Sequence, residues 1–167
     1  MTFLINDTYL TSNTNIGTSV NDKTLKVALQ TVTITDVKYL LGKPLYELFE
    51  THVQDSTVLT SAQAEAFEQI QYYMALKVEF ELMGNILTVS NKGVTQDEHV
   101  ANMDVVKFKR QNIESKAAIV KTALLVYLNA NKDKFPEFFP EPTTINKPNP
   151  AYSSGIAFDY EPKRYFM

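Results

Sequence analysis

The longest helical pattern in the chain constrains its fold more than any other feature. Its apolar residues recur at steps of three, four or seven, the spacing that lines side chains along one face of an α-helix. Thr95-Gln96-Asp97-Glu98 has the form of a capping box, and Pro136 follows the polar end of the pattern. The sequence therefore predicts a helix from Thr95 to Asn131 with a buried stripe of Met103, Val106, Ile113, Ala117, Val120, Leu124 and Leu128.

Arg110 interrupts this stripe where an apolar side chain is expected. The favoured interpretation is an arginine whose aliphatic stem lies along the core while its guanidinium reaches the edge. The alternative is a buried or interfacial ion pair with a neighbouring subunit. Both interpretations place Arg110 beside the core.

A second long helix is predicted from the capping box Thr60-Ser61-Ala62-Gln63 to about Met83. Two adjoining faces of this helix are apolar, which indicates burial from two directions. One face carries Phe67, Ile70, Met74 and Val78, and the other carries Tyr73, Leu76, Phe80 and Met83. Together the two long helices predict an all-α fold, a small bundle built on a long antiparallel helix pair.

The segment before these helices divides into an arm and an αα corner. Residues 1–20 are polar and rich in Thr, Ser and Asn, and we interpret them as an extended N-terminal arm. Asn21 or Asp22 caps a helix whose inner face is Leu25, Ala28, Leu29 and Val32. Thr35 is expected to cap a short helix that Gly42 ends, and Pro44 opens the next one. The helical bundle domain is predicted to span residues 21–139.

Residues 140–167 are predicted to form an extended C-terminal tail rich in proline and aromatic residues. Six of the seven prolines follow Phe135, so no long helix crosses this part. Its aromatic residues are expected to be buried against a protein surface. Docking on another chain is favoured over packing on the chain's own bundle. The expected partner-interface residues are Tyr152, Ile156, Phe158, Tyr160, Tyr165 and Phe166. For Phe135 to Phe139 the chain's own bundle and a partner are equally open.

Composition excludes several function classes. The 167 residues fit one domain, and the absence of cysteine excludes disulfides, thiolate nucleophiles and cysteine metal sites. The net charge of -3 argues against a free-standing nucleic-acid binder. No apolar run is long enough for a membrane span, and the start lacks a secretory leader, so synthesis in the cytosol is expected. The two histidines are far apart, and no catalytic, nucleotide-binding or metal motif is present, so we expect no enzyme and no cofactor.

A basic cluster lies on the longest predicted helix. Lys107, Lys109, Arg110 and Lys116 are the candidate residues for facing DNA in a channel. The alternative, which we favour, is a solvated helix face balanced by nearby acidic residues.

The order of these elements resembles a known group of proteins. After the polar arm and first helix comes Ile34-Thr35-Asp36-Val37-Lys38-Tyr39-Leu40-Leu41-Gly42-Lys43-Pro44-Leu45-Tyr46. A long helix, the turn Ser90-Asn91-Lys92-Gly93-Val94 and a longer helix ending near Tyr127-Leu128 follow. Over about residues 21–139 this order is similar to tailed-phage head-to-tail connectors, closest to the neck adaptor, or ring, proteins of crAss-like and other Bacteroidetes phages.

The resemblance implies a structural virion protein without enzymatic activity. Such a protein assembles in the host cytoplasm as a homo-oligomeric ring, usually a dodecamer, at the portal vertex. There it connects the portal protein to the adjacent neck or tail ring protein and helps to retain packaged DNA, which it contacts weakly and without sequence preference. It uses neither a cofactor nor a membrane. A small helical DNA-binding or regulatory protein is the alternative, and an enzyme is less favoured.

Overall fold

The computed structural model describes residues 2–17, 20–84, 87–90, 93–96 and 103–139. This part of the chain is mostly helical, in agreement with the all-α prediction, and adds one small antiparallel hairpin. The elements are α1 (Asp7–Asn13), α2 (Asp22–Val32), a π-helical turn (Thr33–Val37), α3 (Lys38–Asp55), α4 (Ser61–Gly84), β1 (Leu87–Ser90), β2 (Gly93–Gln96), α5 (Met103–Ala130) and a short 3-10 helix (Lys132–Lys134).

Helix α4 occupies the centre of the bundle. The predicted capping box is confirmed, because the Thr60 amide donates to Gln63 Oε1 at 3.0 Å and the Gln63 amide donates to Thr60 Oγ1 at 3.3 Å. Burial from two directions is also confirmed, although Phe80 and Met83 of the second predicted face are only half-buried. The buried residues of α4 are Ala62, Ala66, Phe67, Ile70, Tyr73, Met74, Ala75, Leu76, Val78 and Glu79. A helix that is apolar on most sides must be covered by several neighbours.

Helix α5 covers one side of α4. The predicted stripe is confirmed at Ile113, Ala117, Leu124 and Leu128, which are buried. Val106 and Val120 are half-buried, and the side chain of Met103 lies outside the described residues. The Tyr127 hydroxyl near the end of α5 donates to the Ala62 carbonyl oxygen at 3.3 Å at the start of α4.

The predicted start of the longest helix is wrong. Thr95 and Gln96 belong to strand β2, where Thr95 is the register partner of Thr88, and α5 begins at Met103. Thr95 therefore does not cap a helix, and the predicted capping box is absent there. Thr88 with Thr95 and Val89 with Val94 are register partners, residue types of high strand propensity, and this hairpin pairing overrides the cap signal.

The prediction of an extended N-terminal arm is also wrong. Residues 7–13 form α1, whose first turn is capped by Asn6 Oδ1 accepting from the Tyr9 amide at 2.8 Å. Leu4, Ile5 and Leu10 are buried in the core. Three apolar side chains in a polar stretch are enough to hold it on the bundle, so the compact part of the chain begins well before Asn21.

The αα corner was predicted in part. Asn21 caps α2, and all four residues of its predicted inner face are buried. Gly42 breaks the helix with a φ of 71°, as predicted, and Leu45 and Phe49 beyond it are buried. Thr35 is not a cap, because the chain stays helical through the π-turn and the Thr35 hydroxyl donates to the Thr31 carbonyl at 2.9 Å.

The aromatic residues after α5 belong to the chain's own bundle. Phe135 is fully buried, and its ring lies 6.1 Å from that of Tyr127. Phe138 and Phe139 are partly buried against the core. Of the two alternatives for Phe135 to Phe139, packing on the chain's own bundle is therefore the one observed. Residues 140–167, and with them the interface predicted for Tyr152 to Phe166, lie outside the described residues.

Two isoleucines on α5 test the assignment of its faces. Ile113 is 6% exposed and Ile119 is 69% exposed. We expect Ile113→Ala to lower the free energy of unfolding by about 2–5 kcal/mol, because it leaves a cavity in the core. Ile119→Ala should change it by less than about 0.5 kcal/mol. Urea unfolding followed by circular dichroism measures both, and equal losses at the two sites would contradict this assignment.

Candidate interaction surfaces

Helix α5 carries a second apolar stripe that faces solvent. Val105, Phe108, Ile119 and Val126 are between 44% and 69% exposed. Their spacings of 3, 11 and 7 residues place them on one side of the helix, and the mean direction of that side lies more than 100° from the mean direction of the buried stripe. The exposed polar residues Asn112, Ser115 and Lys116 lie between Phe108 and Ile119 on this side, so the stripe has two apolar parts. Exposed apolar clusters of this kind are typical of a binding surface.

Part of this stripe forms one wall of a groove between α4 and α5. The groove has a volume of about 680 Å³. It is lined by Glu68, Gln69 and Tyr72 of α4 and by Ile119, Val120, Ala123, Val126, Tyr127 and Ala130 of α5. Its floor and one wall are apolar, and Glu68 gives the other wall an acidic edge.

Glu65 extends that acidic edge by one turn of α4. Both Glu65 and Glu68 are exposed. Burial, together with a hydrogen bond to Glu65, raises the pKa of the Tyr127 hydroxyl. Glu65 and Tyr127 line one pocket at the start of α4, which adjoins the Tyr127 end of the groove.

A separate apolar patch lies on α2 and the turn that follows it. Val27 is 51% exposed and Ile34 is 59% exposed. These two residues are seven apart and lie on the side of the helix opposite the buried residues Leu25 and Val32. Tyr39 at the start of α3 is also exposed. The described residues thus include an apolar surface on α2 that is separate from the one on α4 and α5.

Arg110 turns towards α4. Its guanidinium carbon lies 4.2 Å from the centre of the Phe80 ring, a cation–π contact. The guanidinium also packs over Gly84, where a Cβ would stand 3.5 Å from it, an ordinary van der Waals distance. Among the described residues, Arg110 Nε has no hydrogen-bond partner. Arg110 is half-buried, and it contacts the C-terminal end of α4, the end farthest from Tyr127.

The other candidate DNA-channel residues point in different directions. Lys107, Lys109 and Lys116 are exposed. Lys109 and Lys116 are seven residues apart and share one side of α5, whereas Lys107 lies about 160° away from Lys109 at the helical period. Sequence proximity made these lysines look like one cluster, but the helix distributes them around its axis.

A polar cluster that the sequence did not reveal joins the π-turn to α4. Lys77 Nζ lies 3.0 Å from Asp36 Oδ1, and the Tyr73 hydroxyl donates to the same oxygen at 3.4 Å. Burial, reinforced by the Asp36 charge, raises the pKa of Tyr73 to about 12. No local motif signals this cluster, because Asp36 is far in sequence from the other two residues.

The raised pKa of Tyr73 predicts a loss of stability in alkali. The unfolded chain ionises this tyrosine near pH 10 and the folded chain near pH 12, so the contribution of Tyr73 is complete below pH 10 and falls between pH 10 and 12. Tyr73→Phe should reduce this fall by up to about 2–3 kcal/mol. Unfolding in urea at pH 9 to 12 measures it, with Tyr39→Phe as the control at an exposed site. A slope that Tyr73→Phe leaves unchanged would refute the prediction.

The described residues contain little that is arranged for metal chemistry. Within them, no group of three or more His, Cys, Asp or Glu side chains is placed to hold a metal ion. His52 on α3 has its Nδ1 in hydrogen-bond contact with the Thr57 carbonyl oxygen, and its ring meets the edge of Phe67 at 5.1 Å. No helix in the described part of the chain is long and apolar enough to cross a membrane.

The described residues define a helical bundle with exposed apolar surfaces. The family model described as "Family of unknown function (DUF6712)" matches residues 37–147, more than half of the chain, so the protein belongs to that family. The match includes α3, α4, the hairpin and α5. No curated protein and no solved structure matches the chain.

Proposed function

We propose that this protein is a structural subunit of the neck of a tailed phage. In this proposal, copies of the chain form a ring at the portal vertex, connect the portal protein to the next ring towards the tail, and help to retain packaged DNA. The observation that carries the proposal is the coexistence of a complete core with two exposed apolar surfaces, on α2 and on α4 and α5.

A complete core makes those surfaces informative. The buried residues of α1 to α5 already form one hydrophobic cluster, which Phe135 closes at the end of α5. The exposed residues of α5 are therefore not needed to fold the subunit. Clustered apolar area that the core of the described residues does not use indicates contacts with other molecules or segments. A subunit of a ring needs at least two such surfaces, one for each neighbour.

The polar residues of the subunit support a structural role over a catalytic one. Asp36, Tyr73 and Lys77 form the tightest polar cluster that we identify in the described part of the chain, and they join two elements of the same bundle. Their contacts are used to fix the π-turn against α4. The α4–α5 groove offers mainly carbon atoms, which suits a protein partner better than a small polar substrate.

The finer features of the proposal concern the spine and the tail. We take α4 and α5 as an antiparallel spine, because the end of α5 meets the start of α4 at Tyr127 and Ala62 while Arg110 near the start of α5 meets Phe80. We take residues 140–167 as an extended tail that clasps the portal or the adjoining ring protein. Fully extended, its residues from Glu141 span up to roughly 90 Å, enough to cross a neighbouring subunit. Twelve copies are proposed for the ring.

Removing the tail tests its role as a clasp. Deletion of the residues after Pro140 should leave a folded protein with unchanged helical content, because the described core ends at Phe139. The same deletion should strongly reduce capture of the purified portal protein in a pull-down. Ile156→Ser, Phe158→Ser and Tyr160→Ser in the full-length chain form the matched variant, which keeps the length and removes the anchors.

Two outcomes would contradict the clasp. Unfolding or aggregation of the shortened chain would mean that the tail belongs to the subunit's own core. Full binding of the portal by both variants would place the joining surface on the helices instead.

Neutralising lysines of α5 tests the proposed DNA channel. Lys107→Gln, Lys109→Gln and Lys116→Gln together should leave folding and ring assembly unchanged, because all three are exposed. In this proposal the side of α5 that carries Lys109 and Lys116 faces the channel, so phage particles carrying this variant should lose packaged DNA more readily, since fewer cations face the phosphates. Lys107 lies on the other side of the helix and should contribute little to this loss. Lys43→Gln with Lys134→Gln, exposed on other elements, is the control. Normal DNA retention by the α5 variant would show that these lysines form a solvated helix face.

A further inference from the structure

We infer that the α4–α5 groove of one copy receives the outer face of α2 from a second copy of the chain. The inference deepens the proposed ring by naming the contact between its subunits, and it rests on that proposal in taking the neighbour to be another copy. Three features of the described residues carry it: apolar spacing, charge and orientation.

The apolar residues of the two surfaces have the same spacing. Val27 and Ile34 project from one face of α2 and its following turn, seven residues apart. Ile119 and Val126 project from α5 beside the groove, also seven residues apart. Seven residues of helix rise about 10 Å, so the two pairs can stand side by side without a change in either backbone. Side chains of equal spacing can interdigitate, since helices pack with the ridges of one in the grooves of the other.

The charges beside these residues are opposite. Lys23 and Lys26 lie on the exposed side of α2, three residues apart and next to Val27. Glu68 lines the α4 wall of the groove, and Glu65, three residues earlier, lines the adjoining pocket that shares Tyr127 with the groove. Lysine pairs facing carboxylate pairs of the same spacing steer association and fix the register of an interface.

One orientation satisfies both matches. Glu65 lies at the end of the groove where Tyr127 meets Ala62, which is also the Val126 end. The lysines lie at the start of α2, on the Val27 side. With the lysines beside the carboxylates, Val27 falls beside Val126 and Ile34 beside Ile119. The docked helix then runs antiparallel to α5.

This contact joins two different surfaces of the same chain. Each copy offers its α2 face to one neighbour and its groove to another, so the contact repeats from copy to copy. A repeating head-to-tail contact produces a closed ring when the rotation between copies closes, whereas a contact between two identical patches stops at a dimer.

Cysteine cross-linking tests the contact in the full-length chain. The chain has no cysteine, so Val27→Cys and Val126→Cys each introduce a single thiol. At the highest soluble protein concentration, a mixture of the two variants treated with a short bismaleimide should give a covalent dimer of 37.8 kDa, twice the mass of 18.9 kDa. Each variant alone should give at least tenfold less. Val27→Cys mixed with Phe108→Cys is the matched control, because Phe108 lies on the same stripe about 27 Å along α5 from Val126.

Charge reversal tests the register independently. Glu68→Lys and Lys26→Glu should each weaken self-association about tenfold or more in sedimentation experiments, because each places like charges together. Mixing the two variants should restore association, since a reversed groove then meets a reversed α2. Glu114→Lys, an equal charge change at an exposed site of α5, should have no effect.

Three other outcomes would overturn the inference, and a fourth would separate it from the proposed function. A strong dimer from Val126→Cys alone would mean that two grooves face each other. A thiol at position 126 that resists maleimide in the monomer would mean that the groove is covered within its own chain. Absence of cross-linked dimer and of mixed-variant rescue would mean that another protein occupies it. Cross-linking in solution by a chain that is absent from phage necks would uphold the contact and refute the neck function.

Discussion

Covering helix α4 on several sides is the constraint on which the rest of the structure depends. Its buried residues recur around the helix, so it is stable only when other elements exclude water from each of those sides. The ring centres of Phe49 on α3 and Phe67 on α4 are 5.2 Å apart. The side-chain amide of Gln71 on α4 donates a hydrogen bond to the Leu4 carbonyl oxygen at 2.8 Å. Helix α5 covers another side through Tyr127. The N-terminal residues and α5 are both parts of this enclosure.

A buried carboxylate shows why the N-terminal segment is part of the core. Glu79 on α4 is only 3% exposed, and the side-chain amide of Asn15 donates to its Oε1 at 3.0 Å. A buried charge without a hydrogen bond costs several kcal/mol. The segment after α1 therefore brings a polar partner to α4 as well as apolar cover. A pattern of apolar residues gives no sign of this requirement, because both side chains are polar.

The sequence was most reliable where one local interaction decides the structure. The Thr60 capping box, the Asn21 cap and the left-handed Gly42 each depend on side-chain or backbone chemistry within a few residues. It failed where distant residues decide. Thr95 pairs with Thr88 across a hairpin, and Leu4 packs on a core that is assembled mainly from residues far along the chain. Local signals cannot weigh such contacts against a competing cap.

The binding surfaces were missed for a different reason. Helix α5 has apolar residues on two of its sides, and helical periodicity placed Ile113 on the buried stripe but gave no sign of what lies beside the other side, where Ile119 is exposed. Only the packed structure shows that this second side adjoins a groove with α4. The side that folding leaves exposed adjoins carboxylates of α4 and matches the outer face of α2 in spacing and charge. The two surfaces lie on different helices, so two copies in contact still have one unused α2 face and one unused groove between them. Assembly can therefore continue beyond two copies.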